Sequence, residues 1–171
     1  MSKRPLHLKG LNGIRAIAAL GVLFGHTTQG MSYFGLDKFI FGKTAHGEPI
    51  ATGLTGHGVT IFFALSGFLI TFLLLLEKSK QEIDIKKFYV RRALRIWPLY
   101  YTYLALCLLV LYLIGQTYDT GSLVLLLFFS ANVPFILNTG IQFLYHFWSL
   151  GVEEQFYSFW PWLVKKTTKN L

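Results

Sequence analysis

Apolar runs of membrane-spanning length alternate with short polar connections along this chain, and the first run holds two ionisable side chains. Residues 11–29 read as a first span, apolar or glycine throughout from Ala16 to Gly25 but carrying Arg15 and His26. Residues 30–56 scatter Gly, Thr and a few balanced charges, the pattern of an external loop. A second span is expected over about 58–76, beginning Gly58-Val-Thr-Ile-Phe-Phe and ending in four leucines. The basic connection 77–96 follows, with Phe88, Arg92, Arg95 and Ile96 at helical spacing, which predicts a helix lying on the membrane surface. Trp97-Pro98 is expected to open a third span running to about Gly115, because Trp suits the interface and Pro suits a first helical turn. Residues 116–120 then make a short outer turn.

The last third of the chain permits two topologies. Residues 121–137 are apolar but interrupted by Ser130, Asn132 and Pro134, which is short for a hydrocarbon layer of about 30 Å. A final apolar stretch, about 143–164, contains Glu153 and Glu154. If 121–137 crosses, the closing lysines emerge on the outside. If it is re-entrant or skims the interface, the last span returns inward. The second topology agrees better with the charge pattern. The expected fold is therefore all-α, a polytopic transmembrane helical bundle of about 4–5 membrane segments.

Composition supports that class. The chain of 171 residues is 53% hydrophobic with a mean hydropathy of +0.48, too apolar for an ordinary soluble domain. Sixteen Lys and Arg against eight Asp and Glu leave a net charge of +8. The placement of the positive charge carries more information than its sum. Lys3, Arg4 and Lys9 precede the first span, Lys78, Lys80, Lys86, Lys87, Arg91, Arg92 and Arg95 fill one connection, and Lys165, Lys166 and Lys169 close the chain. The positive-inside rule puts all three clusters in the cytoplasm, giving a multi-pass inner-membrane protein with a cytoplasmic N-terminus. Charge sited as membrane topology requires argues against a nucleic-acid partner. Cys107 stands alone, so no disulfide framework forms within the chain, and His7, His46 and His57 lack metal-ligand spacing; no metal is expected. A basic start before an apolar run resembles a signal peptide, but no small-residue cleavage site follows, and an uncleaved first span is the expectation.

Each ionisable group at membrane depth costs roughly 2.5–3.5 kcal/mol on insertion scales. Arg15 and His26 therefore call for polar partners or a chemical task. Eleven positions at about 100° return to within about 20° of the starting direction, and the rise separates the pair by about 16 Å. They share one face, near opposite membrane surfaces. A plain anchoring helix with Arg15 snorkelling to the headgroups is the simpler account of Arg15 alone. Gly21-x-x-x-Gly25 on the same run has the spacing that lets a second helix approach closely.

Four segments together resemble the membrane acyltransferase family 3, the O-acetylase type that modifies surface polysaccharides. They are Leu11-x-Gly13-x-Arg15 with His26 beyond it; Gly58-Val59-x-x-Phe62-Phe63-x-Leu65-Ser66-Gly67-Phe68-Leu69-Ile70; Phe88-Tyr-x-Arg91-Arg92-x-x-Arg95-Ile96-x-Pro98-x-Tyr100; and His146-x-Trp148-Ser149-Leu150-x-x-Glu153-Glu154-Gln155-Phe156-Tyr157 followed by Pro161. Two departures accompany the likeness. Asn12 stands where the family usually has an acidic residue, and family members continue into further spans beyond the fourth motif. The resemblance thus covers residues 1–171 as the N-terminal part of the domain, and implies a missing C-terminal half as a partner.

The resemblance implies transfer of an acyl group, acetyl above all, from cytoplasmic acyl-CoA to a hydroxyl of a cell-surface glycan or lipid-linked sugar. Such a reaction needs a base for the hydroxyl proton and positive charge or donors for the oxyanion. His26 is the base candidate, since a histidine's ordinary pKa of about 6.5 lies near working pH. Arg15 completes its motif, and Glu153 is the matched acid, expected to partner His26 or Arg15; Glu154 points about 100° away and is expected to be secondary. Arg92 and Arg95, at i and i+3, are the expected acyl-CoA contacts, because arginine forks suit phosphates. Attraction of that basic stripe to anionic membrane lipid is the competing role. Ser66-Gly67 is expected to permit close helix approach, and His146 and Trp148 suit an interfacial anchor. The alternative to an enzyme is a non-catalytic membrane protein, an inactive remnant or a transporter-like subunit, with the same polar residues in a structural network.

Overall fold

The computed structural model describes residues 10–167. The basic and histidine positions Lys3, Arg4, His7, Lys9 and Lys169 lie outside the described residues. Six helices follow in order: α1 (Leu11–Tyr33), α2 (Ile50–Lys78), α3 (Ile85–Leu113), α4 (Thr120–Leu127), α5 (Asn132–Ile136) and α6 (Phe147–Thr167). Among the described residues there is no strand, only one isolated bridge between Lys43 and Pro49. Two helices, α2 and α3, are both long and apolar enough to cross a membrane. The 21 residues of α6 reach about 31 Å, but Glu153, Glu154 and two terminal lysines make it more polar. The chain divides into two compact units, Met1–Ile70 and Thr71–Leu171.

In the first unit, small residues set the contact between α1 and α2. A methyl group on Gly25 would overlap the Thr55 hydroxyl and stand 2.6 Å from the Ala51 carbonyl oxygen. One on Gly21 would stand 3.2 Å from the Leu54 carbonyl. The contact is reciprocal, because a methyl on Gly58 would press on Val22 and on the Ala18 carbonyl at 2.8 Å. Ala18, Gly25 and Thr28 form the buried stripe of α1, and the Thr28 hydroxyl is satisfied by the Gly25 carbonyl at 2.8 Å. The spacing read from the sequence as a close-approach motif is used as one. Close approach was also expected at Ser66-Gly67, but a methyl there would meet nothing within 4 Å. The connection expected over 30–56 is shorter, since α1 continues to Tyr33 and α2 begins at Ile50.

In the second unit the core lies along one face of α3. Tyr100, Leu104, Cys107 and Leu111, spaced four, three and four apart, pack with Leu126, Phe129, Ala131, Ile141, Leu144 and Phe147. The surface helix and third span expected on either side of Trp97-Pro98 are one continuous helix. Asp84 starts it, accepting from the Lys87 backbone N–H at 2.9 Å, while Pro98 sits exposed in the interior. An interior proline costs about 3 kcal/mol by removing a donor. The buried side chains on both sides of Pro98 offset that cost and hold the axis together.

The interrupted run 121–137 folds as two short helices of eight and five residues, and neither is long enough to cross a bilayer. Its break is not left to lipid. Tyr100 and Tyr101 donate their hydroxyls to the Leu126 and Leu127 carbonyls at 2.7 and 2.9 Å, and Gln155 of α6 donates to the Phe129 carbonyl at 3.3 Å. Asn132 and Gln155 pair amide to amide, and Gly151 lets α6 approach so closely that a methyl there would stand 2.9 Å from the Phe129 oxygen. Non-helical backbone at membrane depth survives only when protein groups satisfy it.

Candidate active site

Arg15 and His26 both project from α1, which runs unbroken through both positions, so the separation inferred from helical geometry holds. Each is half-buried, and His26 follows directly on Gly25 at the crossing with α2. Glu153, Arg92 and Arg95 belong to the second unit.

There α3 and α6 bring a charged cluster together. Arg92 donates from Nε to a Glu154 oxygen at 3.1 Å, and its Nη2 lies 3.6 Å from Glu153. The Tyr157 ring lies under the guanidinium, its centroid 3.0 Å from the central carbon, and the Tyr157 hydroxyl donates to Glu153. The three charged side chains keep only 15–26% of their exposure. Tyr89 adds a further tie from α3, donating its hydroxyl to the Ser158 carbonyl. Two carboxylates thus share one guanidinium, and the Tyr157 hydroxyl bonds one of them.

Three features of this arrangement go beyond the sequence reading. Glu153, expected to partner His26 or Arg15, contacts Arg92 and Tyr157 within its own unit. Glu154, expected to be secondary, makes the shorter contact, because side chains 100° apart can straddle a planar fork. Arg92 and Arg95 do not act as one fork: three helical steps leave them about 60° apart, enough to turn Arg92 inward and leave Arg95 exposed. Arg91 goes its own way, 3.6 Å from Glu77. Tyr157, Tyr89 and Gln155 were not assigned roles from the sequence. Glu153 and Tyr157 stand at i and i+4, a spacing that does mark a helical contact.

The cluster borders a pocket of about 500 Å³. Its walls are mostly apolar: Val90, Ala93 and Trp97 from α3 and Phe128 and Phe129 from the α4–α5 break, with Arg92 of α3 and Glu154 and Tyr157 of α6 as polar lining. Arg95 is not part of the lining. The shape suits a flexible, largely apolar chain ending in a polar group. His146, matched in the fourth motif, lies edge-on to Tyr103, and Trp148 stacks on Phe135 of α5 at 5.1 Å. Among the described residues no three His, Cys, Asp or Glu side chains converge as a metal site requires.

An all-helical membrane chain with the four motifs in this order defines a class, and comparison with known sequences agrees. The profile of the family described as an acyltransferase domain matches residues 8–171. The chain belongs to that family, membrane acyltransferase family 3. It is 30% identical over 171 residues to the O-acetyltransferase OatA of Staphylococcus aureus (strain NCTC 8325 / PS 47), covering 94% of this chain and 25% of that protein. A second Staphylococcus aureus protein (strain COL), provisionally named an O-acetyltransferase, is 33% identical over 172 residues, 93% of this chain and 25% of its own. The chain thus spans about a quarter of the length of these relatives. No solved structure matches it.

Proposed function

We propose that this chain is the N-terminal part of an integral-membrane O-acyltransferase, taking an acetyl or similar acyl group from cytoplasmic acyl-CoA and delivering it to a hydroxyl of a cell-surface glycan or lipid-linked sugar. The observation that carries the reading is the family match over 8–171 coinciding with an apolar pocket walled in part by Arg92, Glu154 and Tyr157. In this reading the neutral His26 imidazole takes the acceptor's hydroxyl proton. The oxygen attacks the thioester carbonyl, the oxyanion collapses, and the coenzyme A thiolate leaves and is protonated. Arg15 supplies positive charge on the face that carries His26.

The acyl and pantetheine portions of the donor suit the 500 Å³ pocket, whose walls offer few polar groups. Arg92 already serves two carboxylates, so the donor phosphates fall to exposed Arg95 and its basic neighbours Lys86 and Lys87. Arg92 instead holds α6 in place and shapes the pocket wall.

The test uses the protein in its natural reading frame, in inverted membrane vesicles, with labelled acetyl-CoA outside. His26→Ala should abolish label transfer to glycan by a hundredfold or more while detergent-solubilised protein keeps its unfolding temperature, in line with the 10²–10⁴-fold contribution of a general base. Full transfer by His26→Ala would overturn the assignment.

A further inference from the structure

The other end of α3 holds a second pocket that the acyl-transfer residues do not use. From Arg92 to Leu111 the helix rises about 28 Å, close to the thickness of a hydrocarbon core. At Leu111 the floor of this pocket is apolar and buried, made by Leu111 and Ile141. Gly115, at φ +69°, turns the chain there into Thr117, Tyr118 and Asp119, and the returning segment 138–142 closes the opposite side. The volume is about 240 Å³, below the about 300–1,000 Å³ typical for drug-sized ligands and suited to a single ring.

The rim has a consistent chemistry. Thr117, Asp119, Asn138, Thr139 and Gln142 offer hydroxyls, amides and one carboxylate, and the rings of Tyr118 and Tyr145 are about two-fifths exposed. Tyr145 is seated by Gly140, where a methyl would come within 2.6 Å of the ring. The two sides of the rim are tied before any ligand arrives. Asp119 accepts from the Ser122 backbone N–H at 2.6 Å, and the buried Ser122 hydroxyl donates to the Thr139 carbonyl at 2.8 Å. No Lys or Arg occurs between Arg95 and Lys165 in the chain, so nothing positive from this unit's interior awaits an anion. A phosphate or a nucleotide finds no counter-charge here. Amide and hydroxyl groups that can both donate and accept, one carboxylate acceptor and flat tyrosine faces match the equatorial hydroxyls and apolar C–H face of a neutral sugar ring.

We infer that this pocket binds one neutral hexopyranose unit of a glycan, through the Asp119, Thr117 and Gln142 polar groups and the Tyr145 ring. Its use as the acceptor subsite rests on the acyl-transfer reading; the sugar binding itself does not. The pocket stands about 28 Å along α3 from the Arg92 cluster, so the ring it holds is a distal unit of the acceptor glycan and not the one whose hydroxyl attacks the thioester.

The test uses full-length protein in nanodiscs, with maltotriose, cellotriose and N-acetylchitotriose as probes in saturation-transfer NMR. At least one trisaccharide should bind, and Tyr145→Ala and Asp119→Asn should weaken it tenfold or more. Thr117→Ala and Gln142→Ala, which remove no hydrogen bond of the fold, should each weaken it severalfold, so misfolding cannot imitate the result. Binding of none of the three sugars, or binding unaffected by all four variants, overturns the inference. Acyl transfer to glycan with an unchanged KM in these variants also removes the subsite while leaving the proposed function standing. Variant-sensitive sugar binding with no acyl transfer from acetyl-CoA does the opposite, upholding the pocket and sinking the proposed function.

Discussion

At the Arg92 end of α3 the polar groups are charged, paired and drawn inward, whereas at the Leu111 end they are neutral apart from Asp119 and stand on a rim. The same helix carries both, and the difference lies in what the neighbouring segments supply. At the Arg92 end α6 provides two carboxylates and a tyrosine that consume the guanidinium. At the Leu111 end two turns provide hydroxyls and amides whose bonding capacity is only partly spent on the fold. Charge buried between helices fixes their positions, and removing one partner strands the other. Neutral polarity at a rim costs little to leave wet and stays available to a ligand.

The largest effect should come from Arg92→Ala, which removes the guanidinium that Glu153 and Glu154 share. Full burial would make the loss about 3–5 kcal/mol, and the residual exposure here brings the expectation to about 3 kcal/mol. Chemical unfolding in detergent checks it, and a loss below 1 kcal/mol would show that the cluster is not what holds α6 against α3. Gly151→Ala comes next. The new methyl would press on the Phe129 carbonyl and the Ala131 nitrogen, both backbone, so α6 must shift, at about 1–3 kcal/mol. An unchanged unfolding midpoint would mean the α4–α5 break is not docked on α6.

Between the two ends, Tyr100→Phe should cost about 1 kcal/mol by removing one of the two donors to the Leu126 carbonyl, which keeps the Phe129 backbone N–H at 3.1 Å. The smallest effect belongs to Asp119. The Ser122 backbone N–H holds its carboxyl below the ordinary carboxylate range. A depressed value in the folded chain means the cap contributes fully above the unfolded carboxyl value of about 3.9 and fades as pH falls through the folded value. The Ser122 amide shift, followed by NMR, should therefore be flat from neutral pH to about 5 and move only in stronger acid. A transition above pH 5 would place Asp119 outside the cap.

Residue patterns made much of this legible and left specific parts dark. The apolar runs located α1 and α6 to within about four residues and the C-terminal end of α2, whose start lies eight residues before the expected span, and Gly21-x-x-x-Gly25 marked a contact that exists. Pro98 misled, because a local rule about helix starts met a helix already begun at Asp84 and supported by burial on both sides. The interrupted run 121–137 looked unable to cross, and its two short helices agree; its docking through Tyr100, Tyr101 and Gln155 was invisible because those bonds join residues 23–26 positions apart only after folding.

Sequence alone determined the class: hydropathy needs no neighbours, and the four motifs declare the family through residue type and order. Only the tertiary structure decided that Arg92 spends its charge on Glu153 and Glu154, that Arg95 does not, and that the rim beyond Leu111 gathers Asp119 with Gln142. Pairing depends on which side chains arrive at the same place with compatible direction. A difference of about 60° around a helix, which no one-dimensional pattern weighs, is enough to turn one arginine into a strut and leave the other exposed.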